Sequence, residues 1–189
     1  MLTPDGHPAA ALYYATRDGQ SRRIAEHISR SLAAAGVTAT PRDAATMQPA
    51  DLAAASVVVL VAAVRYGHHV PEAERFLAAY RSLASPPPLA LASVSLVARK
   101  PGKTTAQGNP YLRKVIARHR LAPALAAAFA GRLEYRRCGW LDRQIIRVIM
   151  LLTGGPTEPG TCVEFTSWPA VDEFAAKVAD LHRAALPPA

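Results

Sequence analysis

Residues 16–21, Thr-Arg-Asp-Gly-Gln-Ser, form a short polar turn of the residue types that bind a phosphate group. The turn follows the apolar run AALYYAT at residues 10–16 and precedes a segment with helical periodicity. Such a turn presents successive backbone N–H groups, which attract an anion together with the positive end of a helix dipole. Thr16 and Ser21 add hydroxyl donors, and Gly19 permits a positive φ. The turn therefore predicts a site for a terminal phosphate.

The same turn also has a purely structural interpretation. In that interpretation Asp18 caps the following helix, and Gly19 only turns the chain. Two other phosphate motifs are excluded, because the turn has neither the G-x-G-x-x-G of a Rossmann dinucleotide site nor the G-x-x-x-x-G-K-S/T of a nucleoside triphosphatase. A single terminal phosphate is the ligand that fits this turn best.

The elements that must position this turn alternate between strands and helices. Nearly continuous apolar runs, such as SVVVLVAAV at residues 56–64, are typical of parallel strands buried on both faces. The pattern predicts a doubly wound α/β fold, in which ligands bind at the carboxyl ends of the strands, beside the first strand. The predicted strands are 10–16, 37–43, 56–64, 89–98, part of 125–133, and 162–165. The predicted helices are one that ends at Gly36, followed by 71–83, 111–120 and 168–186.

The length and composition describe an ordinary globular chain. It has 189 residues, of which 50% are hydrophobic, and its mean hydropathy is +0.07. These values predict one domain over residues 1–189, with its core at about residues 10–186. No apolar run reaches the roughly 18 residues that cross a membrane, and no signal peptide is evident, so a cytoplasmic location is expected. Cys138 and Cys162 lack CxxC spacing and further partners, so ordinary thiols and no metal site are expected.

The positive charge is concentrated in one region. The formal net charge is +8, and residues 99–147 hold twelve Lys or Arg against two acidic residues, whereas the rest of the chain sums to −2. Such a patch suits a phosphate, a carboxylate-bearing substrate, an anionic lipid or a nucleic acid. Within it, WLDRQIIRVIMLL at residues 140–152 is too short to span a bilayer. It could lie in a membrane interface, form buried core, or form the seam of a homodimer.

Several stretches together carry a resemblance to a known family. Residues 16–21 resemble the flavodoxin phosphate loop, T/S-x-T-G-x-T. Five stretches resemble the menaquinone-dependent protoporphyrinogen IX dehydrogenases, flavodoxin-like enzymes of bacterial haem synthesis, and the resemblance covers about residues 10–176. The stretches are ATRDGQSRRIA, VRYGHHVPEAERF, SVSLVARKPGKT, AGRLEYRR and LDRQIIRVIMLLTGG. The resemblance implies a flavodoxin-like sheet of five parallel strands in the order 2-1-3-4-5, with a basic insertion near the last strand.

The resemblance also implies FMN as the cofactor, bound by three loops. The phosphate would bind to the first loop, which is Thr16, Arg17, Asp18, Gly19, Gln20 and Ser21. The second loop is Val64, Arg65, Tyr66 and Gly67, and the third is Ser95, Leu96, Val97 and Ala98. Asp18 stands where ordinary flavodoxins have a threonine. A carboxylate beside a phosphate is unfavourable unless it points away, although the dehydrogenase family shares this aspartate.

The implied reaction is the FMN-dependent oxidation of protoporphyrinogen IX to protoporphyrin IX, with the membrane quinone menaquinone as electron acceptor. Because the flavin carries this chemistry, no catalytic side chain is identified, and His68 and His69 are candidates only for moving protons. The substrate bears two propionates, for which Arg99, Lys100 and Lys103 are the candidate contacts. A quinone acceptor implies peripheral contact with an anionic membrane, on the cytoplasmic side of the inner membrane.

Three alternatives share some of these features. An electron-carrier flavodoxin would have the same fold and cofactor, but such carriers are usually acidic. A flavin-dependent NAD(P)H:quinone reductase would differ in its electron donor. A nucleic-acid-binding module would use the basic patch, but the aromatic residues available for stacking there are widely spaced, so no nucleic acid is expected. Those aromatic residues are Tyr111, Phe129, Tyr135 and Trp140.

Overall fold

The computed structural model of the chain describes residues 8–134 and 162–186. The strands are β1 (Ala11–Ala15), β2 (Pro41–Asp43), β3 (Val58–Arg65), β4 (His68–His69), β5 (Leu89–Val94), β6 (Leu125–Phe129), β7 (Arg132–Glu134) and β8 (Cys162–Glu164). The helices are α1 (Gln20–Ala34), α2 (Pro49–Ala53), α3 (Pro71–Arg81), α4 (Pro110–His119) and α5 (Trp168–Ala185). Two 3-10 turns cover Ala44–Thr46 and Leu96–Arg99.

Five parallel strands form the main sheet, in the spatial order β2-β1-β3-β5-β6. Leu12 of β1 lies opposite Pro41 of β2 on one side and opposite Val59 of β3 on the other. Counted along the chain, these parallel strands have the order 2-1-3-4-5, so the predicted flavodoxin-like topology is confirmed. The order reverses beside β1, and this is where a doubly wound sheet binds its ligands.

Helices cover both faces of this sheet, which explains its continuous apolar strands. Val59 and Val61 of β3 pack with α1 and α5, whereas Leu60 and Ala62 of the same strand pack with α3 and α4. All four side chains are fully buried. Successive side chains of a strand point to opposite faces, so a strand covered on both sides needs apolar residues at every position.

Helix α1 ends where the sequence predicts, at a left-handed glycine. Gly36 has φ +78, and its N–H donates to the carbonyl of Ala33 at 3.0 Å, while the N–H of Val37 donates to the carbonyl of Leu32 at 2.9 Å. This pair of bonds is the Schellman motif, which satisfies carbonyl groups in the last turn of the helix.

Some predicted boundaries are wrong. The strand predicted at 89–98 ends at Val94, because the chain then turns into the 3-10 segment Leu96–Arg99. The apolar run continues through that turn because Ala98 is buried in the core. The strand predicted at 37–43 is only Pro41–Asp43, although Val37 and Ala39 before it are buried. The sequence analysis missed α2 and the two-residue strand β4.

Three loops meet at one edge of the sheet because β1, β3 and β5 are adjacent and parallel. Residues 16–19 follow β1, residues 66–67 follow β3, and residues 95–99 follow β5.

Strands β7 and β8 pair antiparallel, with Leu133 opposite Val163. The apolar segment 140–152, predicted to lie in a membrane interface, in the core or in a homodimer seam, is between them in sequence and outside the described residues.

Candidate functional site

The phosphate loop, residues 16–21, folds around one left-handed glycine. Gly19 has φ +86 and occupies the N-cap position of α1, and its N–H donates to Thr16 Oγ1 at 2.9 Å. No side chain caps the helix, and its first turn holds no acidic residue. The first N–H groups of an α-helix have no partner within the helix. The geometry therefore directs main-chain donors and the positive end of the helix dipole at one point, as an anion site requires.

Two buried hydroxyl groups at this edge of the sheet lack a hydrogen-bond partner among the described residues. They are Ser21 Oγ, in the first turn of α1, and Ser95 Oγ, at the start of the third loop. Ser21 is 1% exposed and Ser95 is 7% exposed. Leaving a buried hydroxyl unpaired costs free energy. A ligand that accepts hydrogen bonds from both loops would satisfy these groups.

The carboxylate of Asp18 pairs with the second loop. Its carboxylate oxygens accept from Arg65 Nη1 at 2.9 and 3.2 Å. Asp18 therefore does not cap α1, and the structural interpretation of this residue is wrong. Arg17 extends toward α3, where its Nη2 lies 3.7 Å from Glu72 Oε1. Arg17 within the loop and Arg65 beside it thus each lie near one carboxylate.

The side chain of Gln20 is turned away from the anion site. Gln20 Nε2 donates to Glu164 Oε1 and to Thr166 Oγ1, both at 2.9 Å. Its Oε1 accepts from Arg23 Nη1 at 3.2 Å, and the same Nη1 lies 3.2 Å from Glu164 Oε2. Gln20 therefore offers an anion only its main-chain N–H. Its side chain links α1 to the end of β8 and to Thr166 just after it.

The second loop is a two-residue hairpin between β3 and β4. Arg65 pairs with His68, and between them Tyr66 has φ +50 and Gly67 has φ +80. Positive φ at both central residues is the signature of a type I′ turn, which suits the twist of a hairpin. Tyr66 is 65% exposed at the tip, and the Arg65 guanidinium lies 5.4 Å from the centre of its ring. Val64, paired with His69, continues the hairpin toward the sheet.

The two histidines of β4 lie in different surroundings. His68 is exposed, whereas His69 is 5% exposed and its Nε2 lies 3.0 Å from Ser93 Oγ. Burial lowers the pKa of His69 to about 4, and the charges of Arg118 and His119 act in the same direction. His69 is therefore neutral near pH 7 and joins the hairpin to β5. Of the two predicted proton carriers, only His68 has open access to solvent.

The third loop turns directly after β5. The Ser95 N–H donates to the carbonyl of Phe129 at 3.0 Å, and residues 96–99 then form the 3-10 turn. Leu96 and Val97 are partly exposed, and Ala98 is buried. The predicted third loop therefore lies at the same edge of the sheet as the other two.

The candidate substrate residues leave this turn in three different environments. Arg99 is half-buried, and its guanidinium lies 5.7 Å from the centre of the Phe165 ring. Lys100 is exposed. The carbonyl of Lys103 accepts from Asn109 Nδ2 at 3.0 Å, which fixes the main chain at this position.

Asn109 is a key structural residue that the sequence analysis did not single out. It is fully buried, and its Oδ1 accepts from the N–H groups of Tyr111 and Leu112, both at 3.1 Å, so it caps α4. The Asn-Pro pair at 109–110 is a recognisable helix start. A Cβ on Gly67 would lie 3.8 Å from Tyr111 Cε1, so the first turn of α4 also lies against the hairpin.

Phe165, Glu164 and Thr166 were also missed. They lie far along the chain from the loops they contact, and no local pattern marks them. A groove of about 510 Å³ opens at the phosphate loop and extends to the end of β2. It is lined by Tyr14, Thr16, Arg17, Asp18, Gly19, Arg22 and Asp43.

The described residues, 8–134 and 162–186, contain neither a membrane-spanning helix nor a group of metal ligands. No helix in these ranges is long and apolar enough to cross a membrane. No group of three or more His, Cys, Asp or Glu side chains in them is arranged to hold a metal ion.

The sheet order and the three loops define a flavodoxin-like protein. A family model described as a flavodoxin domain matches residues 11–159. The flavodoxin of Streptococcus pneumoniae TIGR4 superposes with a TM-score of 0.54 at 11% identity, over 91% of this chain and 98% of that one, which shows the shared fold. The flavodoxin match indicates a flavin cofactor.

Two curated relatives narrow the family. Protoporphyrinogen IX dehydrogenase (quinone) of Escherichia coli K12 is 35% identical over 170 residues, which are 90% of this chain and 94% of the relative. The protein of the same name from Leishmania major is 36% identical over 183 residues, 95% of this chain and 78% of the relative. The chain therefore belongs to the flavodoxin-like protoporphyrinogen IX dehydrogenase (quinone) family, as the sequence resemblance predicted.

Proposed function

We propose that this protein oxidises protoporphyrinogen IX to protoporphyrin IX in haem biosynthesis, with FMN as cofactor and menaquinone as electron acceptor. The observation that carries the proposal is the identity of 35% along nearly the full length of a dehydrogenase with this substrate and a quinone acceptor. The basic residues that follow the third loop support it, because the substrate carries two propionates. Since menaquinone dissolves in the bilayer, the protein would act as a peripheral protein at the cytoplasmic surface of the membrane.

The phosphate loop supports FMN as the particular flavin. The first turn of α1 has no side-chain cap, and the buried Ser21 hydroxyl in the same turn lacks a described partner. A phosphate monoester at the end of the ribityl chain would accept from these donors, whereas riboflavin ends in a neutral hydroxyl group. The pairing of Asp18 with Arg65 at 2.9 Å would offset the negative charge of the only carboxylate of the loop.

The chain's own residues would bind and orient the reactants. A bound flavin supplies two-electron transfer. Ser95, whose buried hydroxyl lacks a described partner, would donate a hydrogen bond to the flavin, and the exposed aromatic side chain of Tyr66 would be available to contact its ring system. The contact between His69 and Ser93 holds the hairpin against β5. His68, which is exposed, would be the group that releases protons to solvent.

The reaction balance gives a testable stoichiometry. Protoporphyrinogen IX loses six electrons and six protons on aromatisation, and each quinone accepts two of each. Three quinones are therefore reduced to quinols for every porphyrin formed. We expect the FMN-loaded protein to release fluorescent porphyrin from protoporphyrinogen under anaerobic conditions with a menaquinone analogue, and to consume three quinones per porphyrin.

The same preparation separates this proposal from the reductase alternative. Stopped-flow mixing of the oxidised protein with NADPH, in the absence of porphyrinogen, should leave the flavin oxidised. Rapid bleaching of the flavin by NADPH, together with no porphyrin formation, would replace the proposed function with an NAD(P)H:quinone reductase.

A further inference from the structure

Residues 164–166, which are the last residue of β8 and the two that follow it, contact both the phosphate loop and the end of the third loop. The side chains of Glu164 and Thr166 bind Gln20 of the phosphate loop, both at 2.9 Å. Phe165, between them, lies against Arg99 at the end of the third loop. Successive side chains of an extended chain point in opposite directions, which explains how three consecutive residues contact two loops.

The main chain fixes Phe165 in this position. Its N–H donates to the carbonyl of Gly131 at 3.2 Å, and Thr166 Oγ1 donates to the carbonyl of Ala130 at 2.8 Å. The ring is partly buried and packs against the hydrophobic core on the side of α3 and α4. Phe165 is therefore a rigid apolar support for the guanidinium of Arg99.

Arg99 is held from its other end by the 3-10 turn. The N–H of Ala98 donates to the carbonyl of Ser95 at 3.2 Å, and Ala98 is buried. A guanidinium that stacks on an aromatic ring uses its face and keeps its N–H donors in the plane, where they match a carboxylate in two-bond geometry. A fixed arginine also loses less side-chain entropy on binding than a mobile one.

We propose that Phe165 is a positioning residue, which holds the Arg99 guanidinium to bind one propionate of the porphyrinogen substrate. This inference rests on the proposed function for the identity of the substrate. Lys100, which is exposed and has no such support described in the structure, would add a weaker and salt-sensitive attraction. Phe165 itself makes no contact with the carboxylate and acts only through Arg99.

A double-mutant cycle on Arg99 and Phe165 tests the inference. We expect Phe165→Leu to raise the KM for protoporphyrinogen IX about fivefold and Arg99→Gln about tenfold, with kcat changed less than about twofold. The double variant should be no worse than Arg99→Gln alone, and Phe165→Tyr should retain the KM of the unsubstituted protein. Arg113→Gln, an exposed substitution on α4, is the matched charge control and should leave the KM unchanged.

A binding measurement that needs no turnover accompanies the cycle. Quenching of porphyrin fluorescence gives the Kd of protoporphyrin IX and of its dimethyl ester for each FMN-loaded variant. The unsubstituted protein should prefer the diacid by about tenfold, and Phe165→Leu and Arg99→Gln should both reduce that preference, while FMN affinity stays unchanged.

The outcomes separate the two proposals. Additive effects of the two substitutions on KM, or an unchanged preference for the diacid in both variants, would overturn the role of Phe165 and Arg99 even if porphyrinogen oxidation is observed. Loss of the diacid preference in both variants without any porphyrinogen oxidation would support the carboxylate site and overturn the proposed function instead.

Discussion

The phosphate loop, residues 16–21, and the basic loop, residues 99–109, lie at the same edge of the molecule but are built differently. The first is closed by one internal bond, from the Gly19 N–H to Thr16 Oγ1, and presents main-chain donors. The second is held by distant parts of the chain. The Thr104 carbonyl accepts from the N–H of Ala128 at 2.7 Å, and Arg99 lies against Phe165. The phosphate loop therefore offers donors from six adjacent residues, whereas the basic loop depends on contacts with β6 and with Phe165.

We expect the largest loss of stability from substituting Asn109, which holds the basic loop against the start of α4. Asn109→Ala removes a buried helix cap and leaves the Lys103 carbonyl without its donor, so we expect the free energy of unfolding to fall by about 3 kcal/mol. Urea denaturation of the flavin-free protein measures this loss. Asp43→Ala, which removes an exposed cap at Ala45, is the control and should cost roughly 0.5 kcal/mol. Equal losses in the two variants would show that the basic loop is not assembled through Asn109.

His69, which joins the hairpin of the second loop to β5, makes the stability of the protein depend on pH. The pKa of His69 is about 4 in the folded protein and about 6.5 in the unfolded chain, so the unfolded state binds more protons between these values. Stability therefore falls as the pH drops through this window, by about 2 kcal/mol between pH 7 and pH 5 from this group. Urea denaturation at both pH values should show His69→Gln losing less stability than the unsubstituted protein. The same loss in both proteins would contradict the burial of a neutral His69.

Ser21→Ala tests the phosphate loop, and the expected change in binding free energy is of similar size. Removing a donor to a charged phosphate should weaken FMN binding about 30-fold, or about 2 kcal/mol, as measured by quenching of flavin fluorescence. The flavin-free protein should not lose stability, because the deleted hydroxyl has no described partner. Ser29→Ala, on the same helix and bonded to the Ala39 carbonyl, is the control and should leave FMN affinity unchanged. Unaltered FMN affinity in Ser21→Ala would remove this hydroxyl from the phosphate site.

The smallest predicted change concerns the ion pair between the first and second loops. Arg65→Ala leaves the Asp18 carboxylate unneutralised near the phosphate, so FMN should bind about tenfold more weakly at low salt, and less so at high salt. The double variant Asp18→Asn/Arg65→Ala should recover most of the affinity, and riboflavin binding should not change. Failure of Asp18→Asn to restore affinity would indicate that Arg65 contacts the flavin directly.

The local features of the fold and site were accessible from the sequence. The doubly wound α/β class follows from nearly continuous apolar strands that alternate with helices, whereas the strand order was implied by the family resemblance. The phosphate loop follows from six adjacent residues. The end of α1 at Gly36 could be predicted for the same reason, because a left-handed glycine marks a helix end within a few positions. Each of these signals lies inside one short stretch of chain.

The remaining features depend on contacts between distant residues. The apolar run 89–98 does not reveal that the strand ends at Val94, since a buried 3-10 turn needs the same residue types. Gln20 has a side-chain amide that could donate to a phosphate, but this amide donates to Glu164 and Thr166 instead. Phe165 becomes significant only once the fold places it beside Arg99.

The central claim is that main-chain amides and Ser21, at the start of α1, bind the phosphate of a flavin. Titrating the flavin-free protein with FMN and with riboflavin tests it most directly, because the two ligands differ only in that phosphate. We predict that FMN binds at least about 100-fold more tightly than riboflavin, and that inorganic phosphate competes with FMN but not with riboflavin. Equal affinities for the two flavins, or no binding of FMN, would contradict the account.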